Sequence, residues 1–128
     1  MNKNFKPEGY NSVSPYFIVN GAQKFIDLMK QIFNVKDLRK YEMPDGTIIH
    51  AEIQIEDSVI MIGDSSERFP PNTHLIHVYV EDVDETFRKA LASGCTSDDP
   101  PIVKEGEPDK RGTFKDFAGN YWSVSTQQ

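Results

Sequence analysis

From Val13 onward the chain switches between two hydrophobic periods. Val13-Ser-Pro-Tyr-Phe-Ile-Val19 is a β-branched and aromatic run that reads as a strand, with Pro15 placing it at an edge or a first position. Asn20-Gly-Ala-Gln23 has the form of a capping box and predicts a helix to about Phe33. Ala22, Phe25, Ile26, Met29, Ile32 and Phe33 share one face of that helix, and Lys24, Asp27 and Lys30 fall outside it. Val35 to Met43 reads as a strand, Pro44-Asp45-Gly46 as a hairpin turn, and Thr47 to Ile55 as the returning strand. Simple alternation puts Ile49, Ala51, Ile53 and Ile55 on the face that meets the helix, with Ile48, His50, Glu52 and Gln54 on the other. Glu56-Asp57 turns the chain, and Ser58 to Ile62 forms one more strand. Ahead of all this, Met1 to Asn11 reads as a short tail.

The same grammar then repeats. After a polar loop from Gly63 to Asn72, Thr73 to Val80 is a strand and Asp82 caps a helix, with Glu85 as its capping partner. Val83, Phe87, Ala90 and Leu91 form the apolar stripe, and Gly94 suits the C′ position. Cys95 to Val103 reads as a strand interrupted by Pro100-Pro101, Lys104 to Arg111 as a charged, mobile loop, and Gly112 to Phe117 and Tyr121 to Ser125 as closing strands. Val19 aligns with Val80 at an offset of 61 residues, and Ile26 then meets Phe87. Asp57 aligns with Gly119 at an offset of 62, and Ile62 meets Val124. Near-equal offsets at both ends indicate a duplicated βαβββ unit, with a first module over 13–63 and a second over 73–126 of a single domain spanning 1–128.

Composition narrows the classes. A chain of 128 residues is one domain's worth, large enough for a real core. The net charge of −6 and the sparse Lys and Arg give no phosphate-backbone footprint, so nucleic acid is not an expected partner. Cys95 is the only cysteine, which excludes an internal disulfide and a cysteine metal cage; after Gly94 it reads as a buried strand residue rather than a nucleophile. No apolar run approaches the roughly 20 residues of a membrane span, and the polar start lacks an apolar signal core, so the expected compartment is the cytoplasm.

Four stretches in this order and spacing resemble a known family. They are Val13-Ser-Pro-Tyr-Phe-Ile-Val19; Pro44-Asp-Gly46 leading to His50-Ala-Glu52; His77-Val-Tyr-Val-Glu-Asp-Val-Asp84; and Gly112-Thr-Phe-Lys-Asp-Phe-Ala-Gly-Asn-Tyr-Trp-Ser123. Together they resemble the PhnB-like subgroup of the vicinal-oxygen-chelate superfamily, which includes glyoxalase I, extradiol dioxygenases, fosfomycin-resistance transferases and bleomycin-binding proteins. The resemblance implies an α+β fold whose duplicated units curl into half-barrels. Helices lie on the convex side, a small-molecule cavity on the concave side, and a homodimer is common. It also implies metal-ligand positions on the first and last strands of each unit, which here fall on Ser14, Met61, Leu75 and Ser123. Leu and Met offer no hard donor and neutral Ser hydroxyls are weak ones, so no metal cofactor is expected at this set.

The remaining polar residues supply the candidate chemistry. His50 and Glu52 lie two apart on one strand face and can act as acid and base, or serve as a hydrogen-bonded surface pair. His77, a regular feature of the subgroup, and Tyr79 share the side of Leu75; His74 points to the opposite face and reads as structural or exposed. Tyr16, Tyr121 and Ser123 have inward parity and would line the cavity, whereas Trp122 has core parity. Arg111 and Lys110 could meet an anionic ligand at the cavity mouth or simply be solvated. Three functions stay open: a glyoxalase-like small-molecule-binding protein of unassigned activity, with His50, Glu52 and His77 as cavity polar groups and candidate catalytic residues; a ligand-sequestering protein of the bleomycin-resistance type; and a metal-dependent lyase, isomerase or transferase with ligands shifted to those three residues.

Overall fold

A computed structural model describes residues 4–128, so the first three residues of the expected tail lie outside it. The elements are β1 (Tyr16–Val19), α1 (Ala22–Ile32), β2 (Val35–Glu42), β3 (Ile48–Ile55), β4 (Ser58–Asp64), β5 (Leu75–Tyr79), α2 (Val83–Ala92), β6 (Thr96–Val103), β7 (Asp109–Lys115) and β8 (Tyr121–Gln127). The order β, α, β, β, β thus occurs twice. Each unit builds a four-stranded mixed sheet, β1-β4-β3-β2 in the first and β5-β8-β7-β6 in the second. In both, the first strand runs parallel to the last and the other pairings are antiparallel. This is the α+β, duplicated-unit architecture expected from the sequence.

The helix faces close one core between the units. The expected stripe of α1 is buried, joined by Leu28, and Val83, Phe87 and Ala90 are buried from α2. Trp122 of β8 stacks on Phe17 of β1 with ring centroids 5.7 Å apart and planes 6° from parallel. Phe33 bridges to Trp122 and Phe114. Each such ring contributes about 1.5–3 kcal/mol by leaving water, so the two sheets are joined through aromatic packing. The Trp122 indole N–H is satisfied by the buried Asp116 carboxylate at 2.9 Å, which also accepts the backbone N–H groups of Ala118 and Asn120. Asn120 in turn accepts the backbone N–H of His74, whose ring sits 4.2 Å from Phe17. His74 is therefore structural, as its parity indicated.

Several local expectations are corrected. Helix α1 starts at Ala22 behind Gly21, with no cap from Asn20; instead Asp64, at the end of β4, accepts the Ala22 N–H at 2.8 Å. Gly21 adopts φ +101°, a region that favours glycine, and this carries the backbone past Asn20 before the helix begins. Asp82 does cap α2 through the Glu85 N–H, but the Glu85 side chain turns to Arg88 rather than back to the cap. Leu91 is exposed and Thr86 takes its place on the buried face, because the stripe rotates one position around so short a helix. Pro100-Pro101 does not interrupt β6: the strand lies at a sheet edge and the register shifts across the prolines, so their missing donors cost little. The expected loop at 104–111 is shorter, since Asp109, Lys110 and Arg111 already pair with β8.

One edge is sealed by the linker. Asn72 accepts the Ile18 N–H through its side chain at 2.9 Å and donates its own backbone N–H to the Ile18 carbonyl at 3.1 Å. Its amide donates to the Tyr16 carbonyl at 3.1 Å.

Candidate functional site

The site begins with an extra residue in β3. Tyr41 pairs with His50, but Glu42 pairs with Ile48, so Ile49 is unmatched. The bulge reverses the expected alternation at this end of the strand. Ile48 is 1% exposed in the core, and Ile49, expected to meet the helix, is 59% exposed. Beyond the bulge Ala51, Ile53 and Ile55 keep the buried face, leaving His50, Glu52 and Gln54 on the face turned away from α1.

Cross-strand register then gathers the polar groups. Tyr16 of β1 lies opposite Met61 of β4, and Met61 lies opposite Glu52 of β3, so the three form one row across the sheet. The Tyr16 hydroxyl is 2.9 Å from His50 Nδ1, and His50 Nε2 is 2.8 Å from Glu52 Oε2. The other Glu52 oxygen accepts the Tyr10 hydroxyl. Tyr10 reaches across from the N-terminal segment, which is anchored where Asn11 accepts the Val59 N–H at 3.2 Å and Pro15 accepts the Met61 N–H at 2.9 Å. Arg39 stands 4.0 Å from Glu52 and lies over the Tyr10 ring. The result is a continuous chain, Tyr16–His50–Glu52–Tyr10, with its carboxylate only 5% exposed.

Electrostatics keeps that carboxylate charged. Burial pushes the Glu52 carboxyl up, but the hydrogen bonds from Tyr10 and His50, with the charges of His50 and Arg39, outweigh burial and hold it below the ordinary value. Burial first, and the Glu52 charge second, raise the Tyr16 phenol above its ordinary value, so it stays protonated near neutral pH. At the Tyr16 end the sheet opens into a cavity of about 520 Å³. Tyr16, Ile18, Ile49, Gly63 and Phe69 line it, with Phe69 53% exposed above. A Cβ on Gly63 would meet the Ile49 carbonyl at 3.1 Å and the Tyr16 hydroxyl at an ordinary 3.5 Å, so glycine at this position accommodates the close backbone of the bulge.

The other candidates lie on the second sheet. His77 Nε2 is 2.8 Å from the Ser125 hydroxyl, and the Tyr79 ring meets the imidazole edge-on at 4.6 Å. Burial, and then the nearby Arg111 charge, lower the His77 pKa and favour the neutral ring. Tyr79 donates to Asp109 at 2.8 Å. A second cavity of about 660 Å³ runs beside His77 and Tyr79, between β5 and the β3–β4 hairpin. Ser123 lies opposite His77 in the register, Tyr121 is exposed opposite Leu75, and Leu75 is 73% exposed. Arg111 pairs with Glu107 at 3.4 Å and Lys110 with Asp84 at 2.7 Å, so each cation has an acidic partner. Among the described residues, no hydrogen bond, ion pair or ring contact links this group to the Tyr16–His50–Glu52 chain. The structure therefore brings His50, Glu52 and Tyr16 together and leaves His77, Tyr79, Tyr121, Ser123 and Arg111 on a separate surface.

Of the four positions that the family resemblance implies for a metal, Leu75 has no donor atom and Met61 only a thioether. Among the described residues, no cluster of three or more His, Cys, Asp or Glu is placed to hold a metal ion. Cys95 is buried and its thiol is pushed up to about 11 by burial and the Asp116 charge, which removes thiolate reactivity near neutral pH.

Residues that sequence reading missed are as telling. Tyr10 sits in a polar tail with no periodic signal. Gly63 carried one: a glycine directly after an apolar strand marks close approach as readily as it marks a loop.

Comparison with known proteins gives a consistent result. Residues 11–124 match the family model described as Glyoxalase/Bleomycin resistance protein/Dioxygenase superfamily. An uncharacterized protein of Mycobacterium bovis is 28% identical, the match covering 88% of this chain and 81% of that protein. The fold is similar to a PhnB protein from Bacillus cereus described as a putative 3-demethylubiquinone-9 3-methyltransferase, with a TM-score of 0.69 at 17% identity over 91% of this chain and 99% of that one. It is similar also to TnmS3, an antibiotic-binding protein from Streptomyces sp. CB03234, with a TM-score of 0.68 at 16% identity over 93% and 100% of the two chains. No helix among the described residues is long and apolar enough to cross a membrane.

Proposed function

Because this chain belongs to the glyoxalase/bleomycin resistance protein/dioxygenase superfamily, we propose that it binds a small, mainly apolar organic molecule in the cavity over the first sheet. The observation that carries this reading is the cavity itself. About 520 Å³ is room for such a ligand, and the exposed Ile49 and Phe69 side chains are apolar surface that a bound ring would remove from water. The likeness to an antibiotic-binding protein supports a sequestering role rather than turnover. Binding of this kind needs no metal. To test it, the protein is titrated with a panel of one- to three-ring aromatic compounds while backbone amide shifts are followed. Saturable shifts at Ile18, Ile49, Gly63 and Phe69 are expected; a panel that leaves these residues unmoved ends the reading.

The hydrogen-bond chain favours a second reading, acid–base catalysis at Tyr16. A carboxylate orienting an imidazole that accepts from a hydroxyl is an arrangement that can move a proton. His50→Ala would then abolish turnover, whereas a sequestering site keeps its affinity if apolar contacts supply it. A metal site with shifted ligands is less supported, because His77 sits on the other sheet. Absence of any rise in melting temperature with added Mn²⁺ or Zn²⁺ would dispose of it. A homodimer is also proposed, supported by exposed Leu75, Tyr79 and Tyr121 on the second sheet; light scattering that gives a monomer mass removes it.

A further inference from the structure

The proposed cavity meets a phenol whose proton is directed from behind. Glu52 is ionised and can only accept hydrogen bonds, so the His50 nitrogen facing it, Nε2, carries a proton. In the tautomer that carries its one proton on Nε2, Nδ1 is the acceptor, and the Tyr16 O–H at 2.9 Å is its donor. Tyr10 donates to the remaining carboxylate oxygen, so every proton in the chain points toward Glu52. Turning the Tyr16 proton toward the cavity would leave Nδ1 without its donor. The phenol thus presents its oxygen lone pairs to the space bounded by Ile18, Ile49, Gly63 and Phe69.

We propose that Tyr16 Oη is a directed hydrogen-bond acceptor, held in that sense by His50 and Glu52, and that the cavity selects apolar ring compounds bearing an N–H or O–H donor over isosteres that only accept. His50 is the positioning residue: it touches Tyr16, and Tyr16 touches the ligand. An acceptor-only heteroatom placed against Tyr16 Oη would face lone pairs with lone pairs, and neither group would regain the hydrogen bond it had with water. This inference rests on the cavity being the ligand site.

The test uses three bicyclic probes of nearly equal shape: indole, which donates; benzofuran, which only accepts; and indene, which does neither. The 128-residue protein is titrated with each at pH 8, and shifts at Ile18, Ile49 and Gly63 are followed. Indole is expected to bind about 5- to 10-fold more tightly than benzofuran, as one net hydrogen bond allows. Tyr16→Phe should bring the three affinities together by weakening indole. His50→Ala, which leaves every cavity-lining group in place, should free the phenol to donate and raise benzofuran to within about twofold of indole. Equal wild-type affinities for indole and benzofuran overturn the proposal while leaving the cavity as a ligand site. So does a full indole preference retained in His50→Ala; if that variant fails to fold, an indole preference that survives in Tyr16→Phe overturns it instead. Absence of saturable shifts with all three probes removes the cavity reading, and the proposal with it.

Discussion

Asp64 accepts the backbone N–H of Ala22 at 2.8 Å, so the last residue of β4 caps the first helix. Its other oxygen accepts the Ile48 N–H at 2.8 Å, at the point where β3 begins beside its bulge. One carboxylate therefore satisfies a helix terminus and fixes the strand that carries His50 and Glu52.

Replacing Asp64 by Ala should cost about 1–3 kcal/mol, from the lost cap and the orphaned Ile48 donor together. Asn20→Ala, at the position that the sequence alone suggests for the cap, should change stability by less than about 0.5 kcal/mol. Urea denaturation of the two variants checks both values, and a costly Asn20 variant beside a harmless Asp64 one would reverse the assignment.

Glu52 contributes to acid stability. Its folded pKa lies below the ordinary 4.5, so the unfolded chain binds the proton more readily. Its contribution is complete above about pH 4.5 and is lost as pH falls through the lower folded value. Glu52→Gln should flatten the decline of stability with acid in that range and lower the melting temperature at pH 7. A variant with an unchanged acid profile would show that Glu52 does not carry this effect.

His77 acts in a higher window with the same sign. Its folded pKa is depressed by burial and Arg111, so its contribution is present above about pH 6.5 and declines as pH falls through the folded value. His77→Gln keeps a polar group near Ser125 and should remove this part of the slope below about pH 6.5. Denaturation midpoints across that interval decide it.

Gly63→Ala places a methyl group 3.1 Å from the Ile49 carbonyl and 3.5 Å from the Tyr16 hydroxyl. The contact with the Tyr16 hydroxyl is an ordinary one, so the backbone at the Ile49 bulge must give. The variant should lose about 1–2 kcal/mol of stability and weaken aromatic probes at the cavity several-fold. Ser125→Ala, on the other sheet, should leave probe affinity unchanged.

The order of elements was legible because it depends on local periodicity: the α1 stripe, the Asp82 cap and Gly94 all declare themselves within a few residues. The duplication was legible for the same reason, since it compares one local pattern with another. What escaped depends on pairing between distant segments. The bulge at Ile49 exists only in the register of β3 against β2, and alternation read along one strand cannot reveal it. Asp64 caps a helix 42 residues away, and Tyr10 reaches Glu52 across the same separation. His50 and Glu52 were found together because two strand residues of equal parity share a face without any help from register. His77 was grouped with them by its parity with Leu75 and by the family resemblance, and the fold gives it different company.

The Asn72 contacts on β1 bear on how the protein behaves when crowded. A sheet edge with free donors and acceptors can recruit another chain, and open edges at both ends of a molecule can propagate into fibres. Asn72 occupies the Ile18 N–H and the Tyr16 and Ile18 carbonyls that an incoming strand would need. At the opposite end of the molecule's other sheet, Pro100 and Pro101 remove two donors from β6. The outer strand β2 carries Lys36, Asp37, Arg39, Lys40 and Glu42 and two register shifts, which oppose a flat neighbour. These three of the four sheet borders are each blunted by a different device, so head-to-tail growth of the folded protein is interrupted at every one of these joints. Asn72→Ala would uncover the first of them and make slow aggregation at high concentration the observable result.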